Sequence, residues 1–329
     1  MNRVAPRGVG PGRAVTGALL RALEREARIE RAAPSAPLTT YRVGGPLAVL
    51  VEIGDEQQLL AVSKCLAGYR GEVLVIGRGS NVLVADSGFP GVAVRLGDAF
   101  ERIEIDGRGG VVTAGGATPL PVLARQSAAG GLRGLEFFVG IPGSVGGAVR
   151  MNAGGHGSDT ADVLIDAEIL RLGEPQAALR NGDALGFEFR SSAVSDRDVV
   201  VRASFRANPG DPGEARAEIE AVVRWRRANQ PGGQNCGSVF VNPDGEPAGR
   251  IIDECGLKGA RVGGAVVSDK HANFVQAEVG ASAADVARLI DTVRRRVYER
   301  TGRWMRAELH LVGFDGDRTV IPQPPEDDR

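Results

Sequence analysis

Gly140-Ile141-Pro142-Gly143-Ser144-Val145-Gly146-Gly147-Ala148-Val149-Arg150-Met151-Asn152-Ala153-Gly154-Gly155-His156-Gly157 is the most informative stretch of this chain. Seven of its eighteen residues are glycine. Flexible linkers combine glycine with serine and lack large apolar side chains. Here glycine is interleaved with Ile141, Pro142, Val145, Val149 and Met151. That mixture suits a packed loop whose bare backbone comes close to a flat ligand. The whole chain carries 47 glycines in 329 residues, about 14%, where ~7% is usual. The excess is therefore either loop slack or a set of backbone-defined sites.

A second glycine loop lies upstream. Val75-Ile76-Gly77-Arg78-Gly79-Ser80-Asn81-Val82-Leu83 runs from one apolar strand through Gly-x-Gly-Ser-Asn into another. Successive backbone N–H groups in such a turn can cradle a pyrophosphate. A plain β-hairpin turn explains the segment equally well. No long helix follows, so it is not a dinucleotide-binding Rossmann fingerprint, and it lacks the Gly-Lys-Ser/Thr ending of a P-loop.

Composition narrows the function classes. Forty Lys+Arg against 41 Asp+Glu give a net charge of −1, without the basic excess expected of a general nucleic-acid binder. No apolar run reaches the ~20 residues of a membrane span. The N-terminus has no apolar signal core. Cys65, Cys236 and Cys255 are far apart, as are His156, His271 and His310, so no metal site is expected. A cytoplasmic monomer is the simplest expectation.

Periodicity predicts a helix over 13–31, then β-runs at 47–53, 72–76, 81–84, 92–96, 100–105 and 110–114, with helices at 55–67 and 118–128. Residues 130–158 read as a long loop region. Strands resume at 163–171 and 198–206. The Pro/Gly/Asp-rich segment 208–213 is the best candidate boundary. Helices at 214–229, 247–255 and 283–300 and strands at 272–278 and 306–312 follow. The expected organisation is a tail and helix (1–37), a first domain (38–207), a second domain (208–315) and a disordered tail (316–329).

Taken in order, these motifs resemble those of the UDP-N-acetylenolpyruvoylglucosamine reductase family. Gly140 to Ala148 with Asn152-Ala153-Gly154 is similar to its flavin signature, and Gly77 to Asn81 to its pyrophosphate loop. Thr39-Thr40-Tyr41-Arg42-Val43-Gly44-Gly45-Pro46, Phe187-Glu188-Phe189-Arg190-Ser191-Ser192 and Cys236-Gly237-Ser238-Val239-Phe240-Val241-Asn242-Pro243 resemble three further motifs. So do Gly256 to Gly259, Val267 to Phe274 and Ala307 to Gly313. Single motifs are weak; this many in one order, from about Pro37 to Gly313, are strong. The 47 positions between Arg190 and Ser238 resemble the class that lacks an extra tyrosine-bearing loop.

The resemblance implies an α+β fold: a two-subdomain FAD-binding module of the vanillyl-alcohol-oxidase (PCMH) type plus a C-terminal α+β substrate domain. It implies that NADPH reduces FAD, which then reduces UDP-N-acetylglucosamine enolpyruvate to UDP-N-acetylmuramate. Related flavoproteins on another nucleotide sugar, and non-catalytic binders, are the alternatives. Arg190 would hold the substrate carboxylate, Ser238 would protonate carbon, and Glu308 would hydrogen-bond the enolate oxygen. FAD would be held by Tyr41, Arg42, Gly77, Arg78, Gly79, Ser80, Asn81, Val82, Leu83, Gly115, Gly140, Ile141, Pro142, Gly143, Ser144, Gly146, Gly147, Ala148, Asn152, Ala153, Gly154 and Val201. Arg226, Gln230, Asn242, Lys258 and His271 would meet the substrate. Phe187 and Phe189, read as buried, would fix the Arg190 head inward. Phe189, Val241, Arg306 and Arg78 depart from the usual pattern. His156 stands where the family often carries tyrosine and is assigned no chemistry.

Overall fold

The computed structural model describes residues 15–314. The start of the expected N-terminal tail and helix, and the whole of the tail expected over 316–329, lie outside these residues. The first of three packed units is a four-stranded sheet, ordered Arg28–Pro34, Pro46–Ile53, Phe89–Leu96, Val73–Val75. The first pair is antiparallel and the others are parallel. Both faces of the three strands other than Arg28–Pro34 are largely covered, which is why they read as mainly apolar runs. Val49, Val51 and Ile53 pack with Leu23, Leu59 and Val62 from helices Gly17–Glu26 and Glu56–Cys65. Leu50 joins Ile76, Val84 and Phe89 on the other side.

The helix expected over 13–31 ends at Glu26 instead. Arg28–Pro34 is an edge strand, in register with Pro46–Glu52. Residues with acceptable helix propensity are here drawn into a sheet by tertiary pairing.

The second unit is a five-stranded antiparallel sheet, ordered Ala178–Asn181, Leu164–Arg171, Asp198–Arg206, Val111–Gly115, Ile103–Asp106. Helix Leu120–Ala129 packs into the same core through Leu123 and Ala124. The region 130–158 is not simply loop: it holds a 3-10 turn, Glu136–Gly140, and a helix, Val145–Met151, capped by Ser144. Close glycine spacing hides these short elements, because glycine lowers helix propensity without forbidding a turn of helix.

The boundary expected at 208–213 does not follow the packing. Helix Pro212–Asn229 buries Ala215, Ile219 and Val222 in the core of this second unit, beside Leu123, Phe138 and Phe205. Arg133 fastens it further, donating to Glu214 at 2.5 Å and Glu218 at 3.0 Å. The change of core comes after Asn229.

The third unit packs helices Ala248–Glu254 and Ala283–Thr301 with a small sheet of Arg261–Val262, Ala265–Val267 and Val275–Ala277. Leu289, Val293 and Val297 form its centre, with Tyr41 and Leu83 reaching in from the first unit. The strand expected over 306–312 is shorter, His310–Val312, and pairs in parallel with Val82–Val84. Among the described residues no helix is long and apolar enough to cross a membrane.

A second link between units is polar. The Asp86 carboxylate accepts from Ala283 N–H and Ala284 N–H, both at 2.9 Å, at the start of the longest helix. A carboxylate there satisfies donors that the helix cannot. Asp86→Ala should therefore lower stability by about 1 kcal/mol, read as a reduced Tm, with Asp86→Asn falling in between. An unchanged Tm would show that water replaces the carboxylate without loss.

Candidate active site

The three units meet around one cavity of about 730 Å³. The first unit contributes the turn Gly77 to Val82, the second Gly140 to Ser144, Gly147 and Ala148 with Gly154 and Arg190, and the third Ser238 and Glu308. A hollow of about 90 Å³ adjoins it and shares Gly77, Arg78, Ser144, Gly147 and Arg150. Two glycines show why the backbone is bare here. Gly79 has φ +60°, and a Cβ on it would lie 2.0 Å from Leu38 O. A Cβ on Gly147 would meet only Ser144 Oγ, at 3.7 Å, and so would stand in the open cradle.

Arg190, Ser238 and Glu308 line the same cavity. Arg190 has left-handed backbone, φ +58°, a costly conformation for a long side chain. Its guanidinium donates to Asn152 O at 3.3 Å and Gly154 O at 2.9 Å. Its Nε lies 3.5 Å from Glu308 Oε2. The expectation that two buried phenylalanines fix this head does not hold. Phe189 is half exposed, and the guanidinium lies over its ring, 5.0 Å from the centroid. Carbonyls and Glu308 do the fixing.

Ser238 is placed by its neighbours. Gly237 turns the chain at φ +82°. Val239 N–H then donates to Asn273 O at 2.8 Å, while Glu308 N–H donates to Val239 O at 2.8 Å. Phe240 pairs with Ala307 in the same antiparallel arrangement. The serine and the glutamate are thus held side by side by main-chain bonds.

Burial pushes the Glu308 carboxyl up to about 7, against the downward pull of Arg190 and then Arg306. The contact with Arg190 has the distance of an ion pair. Burial nevertheless decides the direction, since charge in a poorly solvated site is costly. A carboxyl that keeps its proton near neutrality can donate a hydrogen bond.

Most residues expected at the flavin line one of the two cavities, but six do not. Gly116 and Val200 form the wall in place of their neighbours Gly115 and Val201, since successive strand residues face opposite sides. Leu83 lies in the core of the third unit, and so does Tyr41, whose hydroxyl takes the Cys236 thiol at 3.5 Å. Arg42 is exposed away from the cavity. Asn152 sits behind the wall, where its side chain ties Asp159, Glu188 and Ala161 together.

Of the residues expected at the substrate, Arg226 and Gln230 line the cavity. The other three lie outside the lining. Lys258 pairs with Asp253 at 2.6 Å, Asn242 accepts from Ala248 N–H, and His271 packs on Phe274. Sequence reading missed Arg150, Met151, Trp225 and His310, which all reach the wall. His310 could have been found by its spacing: it is two residues beyond Glu308, in a stretch that the sequence reads as a strand. Among the described residues no cluster of His, Cys, Asp and Glu could hold a metal ion.

The comparisons with known proteins agree with this architecture. Residues 229–312 match the family model "UDP-N-acetylenolpyruvoylglucosamine reductase, C-terminal domain" and residues 46–173 match "FAD binding domain". The UDP-N-acetylenolpyruvoylglucosamine reductase of Rubrobacter xylanophilus is 43% identical over 279 residues, covering 84% of this chain and 92% of that one. The protein of the same name from a Synechococcus strain is 41% identical over 305 residues, covering 91% and 98%. The crystal structure of UDP-N-acetylenolpyruvylglucosamine reductase from Thermus caldophilus superposes with a TM-score of 0.75 at 35% identity, covering 87% of this chain and 99% of that chain.

The raised Glu308 value has a consequence for stability. The fold favours the protonated carboxyl, so the benefit is complete below the ordinary value of 4.5 and is lost as pH rises through about 7. Glu308→Gln cannot titrate. Between pH 4.5 and 7.5 the parent protein should lose more Tm than this variant does. Parallel curves for the two proteins would refute the raised value.

Proposed function

The chain belongs to the UDP-N-acetylenolpyruvoylglucosamine reductase family, and from that premise we propose how its own residues divide the work. The protein is an FAD-dependent oxidoreductase with NADPH as hydride donor. It reduces UDP-N-acetylglucosamine enolpyruvate to UDP-N-acetylmuramate, in peptidoglycan precursor synthesis. Its fold is α+β, an FAD-binding module of the vanillyl-alcohol-oxidase type with a C-terminal domain appended.

The residues present fit a flavin dinucleotide. A large cavity walled by bare backbone, with a smaller hollow opening beside the same glycine turn, suits a long, flat, anionic molecule. Gly77, Gly79 and Ser80 would hold the pyrophosphate, and Gly140, Gly143 and Gly147 would let backbone lie against the rings. When bound, FAD supplies hydride transfer, taken from NADPH and passed to the enolpyruvyl carbon.

The chain's own residues handle charge and proton. Arg190 faces the substrate carboxylate, where negative charge grows as the double bond is reduced; a fixed cation stabilises that charge. Glu308, carrying its proton near neutrality, donates to the same developing oxygen. Ser238 Oγ gives its proton to the carbon beside the carboxylate. Serine is a weak acid, so it depends on these neighbours to offset the alkoxide. The observation that carries this reading is the main-chain bond from Glu308 to Val239 O together with the 3.5 Å Arg190–Glu308 contact. Through these contacts the three groups converge on the cavity, Arg190 from the second unit and Ser238 and Glu308 from the third. Three thiols free of disulfides support a reducing, cytoplasmic setting, and we read the enzyme as a monomer.

Ser238→Ala should leave NADPH-driven flavin bleaching intact and slow substrate-driven reoxidation by about 10²-fold or more, measured by stopped-flow absorbance. Equal loss in both halves would argue against the proton-donor role. Gly147→Leu should fold, by circular dichroism, yet purify with little FAD, because the side chain would fill the cradle. Full FAD content would place the flavin elsewhere.

A further inference from the structure

We propose that Trp225 is a stacking platform for the flat base of a nucleoside diphosphate, with His156 positioning its ring. The inference rests on the reaction assigned above and adds residues that set its specificity. Trp225 lies in the last turns of helix Pro212–Asn229, half exposed, on the wall of the large cavity. Single exposed tryptophans are ordinary on protein surfaces, but this one is not isolated. His156 meets it nearly at right angles, 89° between planes and 5.1 Å between centroids. Such edge contacts fix a ring without covering both faces.

His156 is held there at a cost. Its φ of +57° is left-handed, on a residue other than glycine. It sits in the turn between the paired strands Gly154–Gly155 and Ser158–Asp159. Gly140 makes room for the imidazole: a Cβ at Gly140 would come 3.2 Å from His156 Cδ2. Burial and then the charge of Arg226 lower the His156 pKa, favouring the neutral ring.

The neighbouring residue supplies the anion contact. Arg226 lines the same cavity, and its Nε donates to the neutral Gln230 Oε1 at 2.7 Å. Among the described residues no carboxylate forms a salt bridge with it, so its charge faces the cavity uncompensated. An aromatic face beside an unneutralised guanidinium matches a ring followed by phosphates. Both the UDP-sugar and NADPH carry that chemistry. The other tryptophan, Trp304, lies between Arg294 and Tyr298 and does not line the cavity.

The test uses FAD-loaded enzyme and calorimetric titration with UDP and, separately, with NADP⁺. Trp225→Leu should weaken binding about tenfold, while Trp225→Phe, which keeps a ring, should stay within about threefold. His156→Ala should raise KM more than it lowers kcat. Loss confined to UDP assigns the platform to uracil, loss confined to NADP⁺ assigns it to the dinucleotide, and loss of both assigns it to one shared place. Three results would overturn the proposal: Trp225→Leu binding both ligands like the parent, Trp225→Phe losing as much as Trp225→Leu, or FAD per chain falling in Trp225→Leu. The reaction itself is checked apart, by NADPH oxidation in the unsubstituted enzyme with the enolpyruvyl substrate. That assay can fail while UDP still stacks, so the two ideas fall separately.

Discussion

The parallel pairing of His310–Val312 with Val82–Val84 is the constraint on which the site depends. It joins the end of the third unit to the strand that leaves the Gly77–Ser80 turn. The lock is reciprocal at its first step: Asn81 Nδ2 donates to Glu308 O at 2.9 Å, and His310 N–H donates to Asn81 O at 3.1 Å. Glu308 is thereby tied through its carbonyl to the Asn81 side chain, beside the Gly77–Ser80 turn, and through its N–H to Val239 O. A shift of this strand by one residue would break both bonds to Asn81 that hold Glu308 and His310 beside the turn. Strand pairing and these hydrogen bonds thus join the first and third units at the cavity.

The other walls use similar economy. The second unit keeps its cavity-lining segment close by burying Val145, Ala148 and Val149 in its own core, while the glycines between them line the two cavities. Helix Pro212–Asn229 packs on that same core, so Trp225 and Arg226 belong mechanically to the second unit. They are not carried by the unit that holds Ser238 and Glu308. The cavity therefore closes between a wall that carries the glycine cradle, Arg190 and Arg226, and a wall that carries the proton-bearing groups.

How much of this was legible in the sequence depends on the scale of the signal. Long strands and helices with clear apolar periodicity stand within a few residues of where the pattern puts them. The short helix Val145–Met151 and the strand Arg28–Pro34 were not legible, because glycine density masks the first and tertiary pairing decides the second. The site shows the same divide. Gly77, Gly79, Arg190, Ser238 and Glu308 lie in compact motifs and do reach the cavity. Gly115 and Val201 miss it by one residue, a shift that only strand register reveals. Trp225 was invisible, since nothing in a basic helix surface says which turn will overhang a cavity in another part of the chain. The domain boundary was misplaced for a related reason: Pro, Gly and Asp mark a turn, but they do not say whose core the next helix will join.

The same burial that defines the cavity also decides which groups around Ser238 can exchange protons near neutrality. Burial pushes the Cys236 thiol up to about 12, so it stays protonated. Burial, reinforced by Arg150, lowers His310 to about 4, so it stays a neutral imidazole, with Nε2 at 3.1 Å from Met151 Sδ. Only Glu308 is moved toward neutrality, because an acid and a base respond to desolvation in opposite directions. Of these three side chains, only the Glu308 carboxyl titrates near neutrality. Arg190 is the counterweight: its charge favours the ionised form and so opposes the rise that burial causes. The pairing of Glu308 with Arg190 thus decides how charge and protonation balance in this part of the cavity.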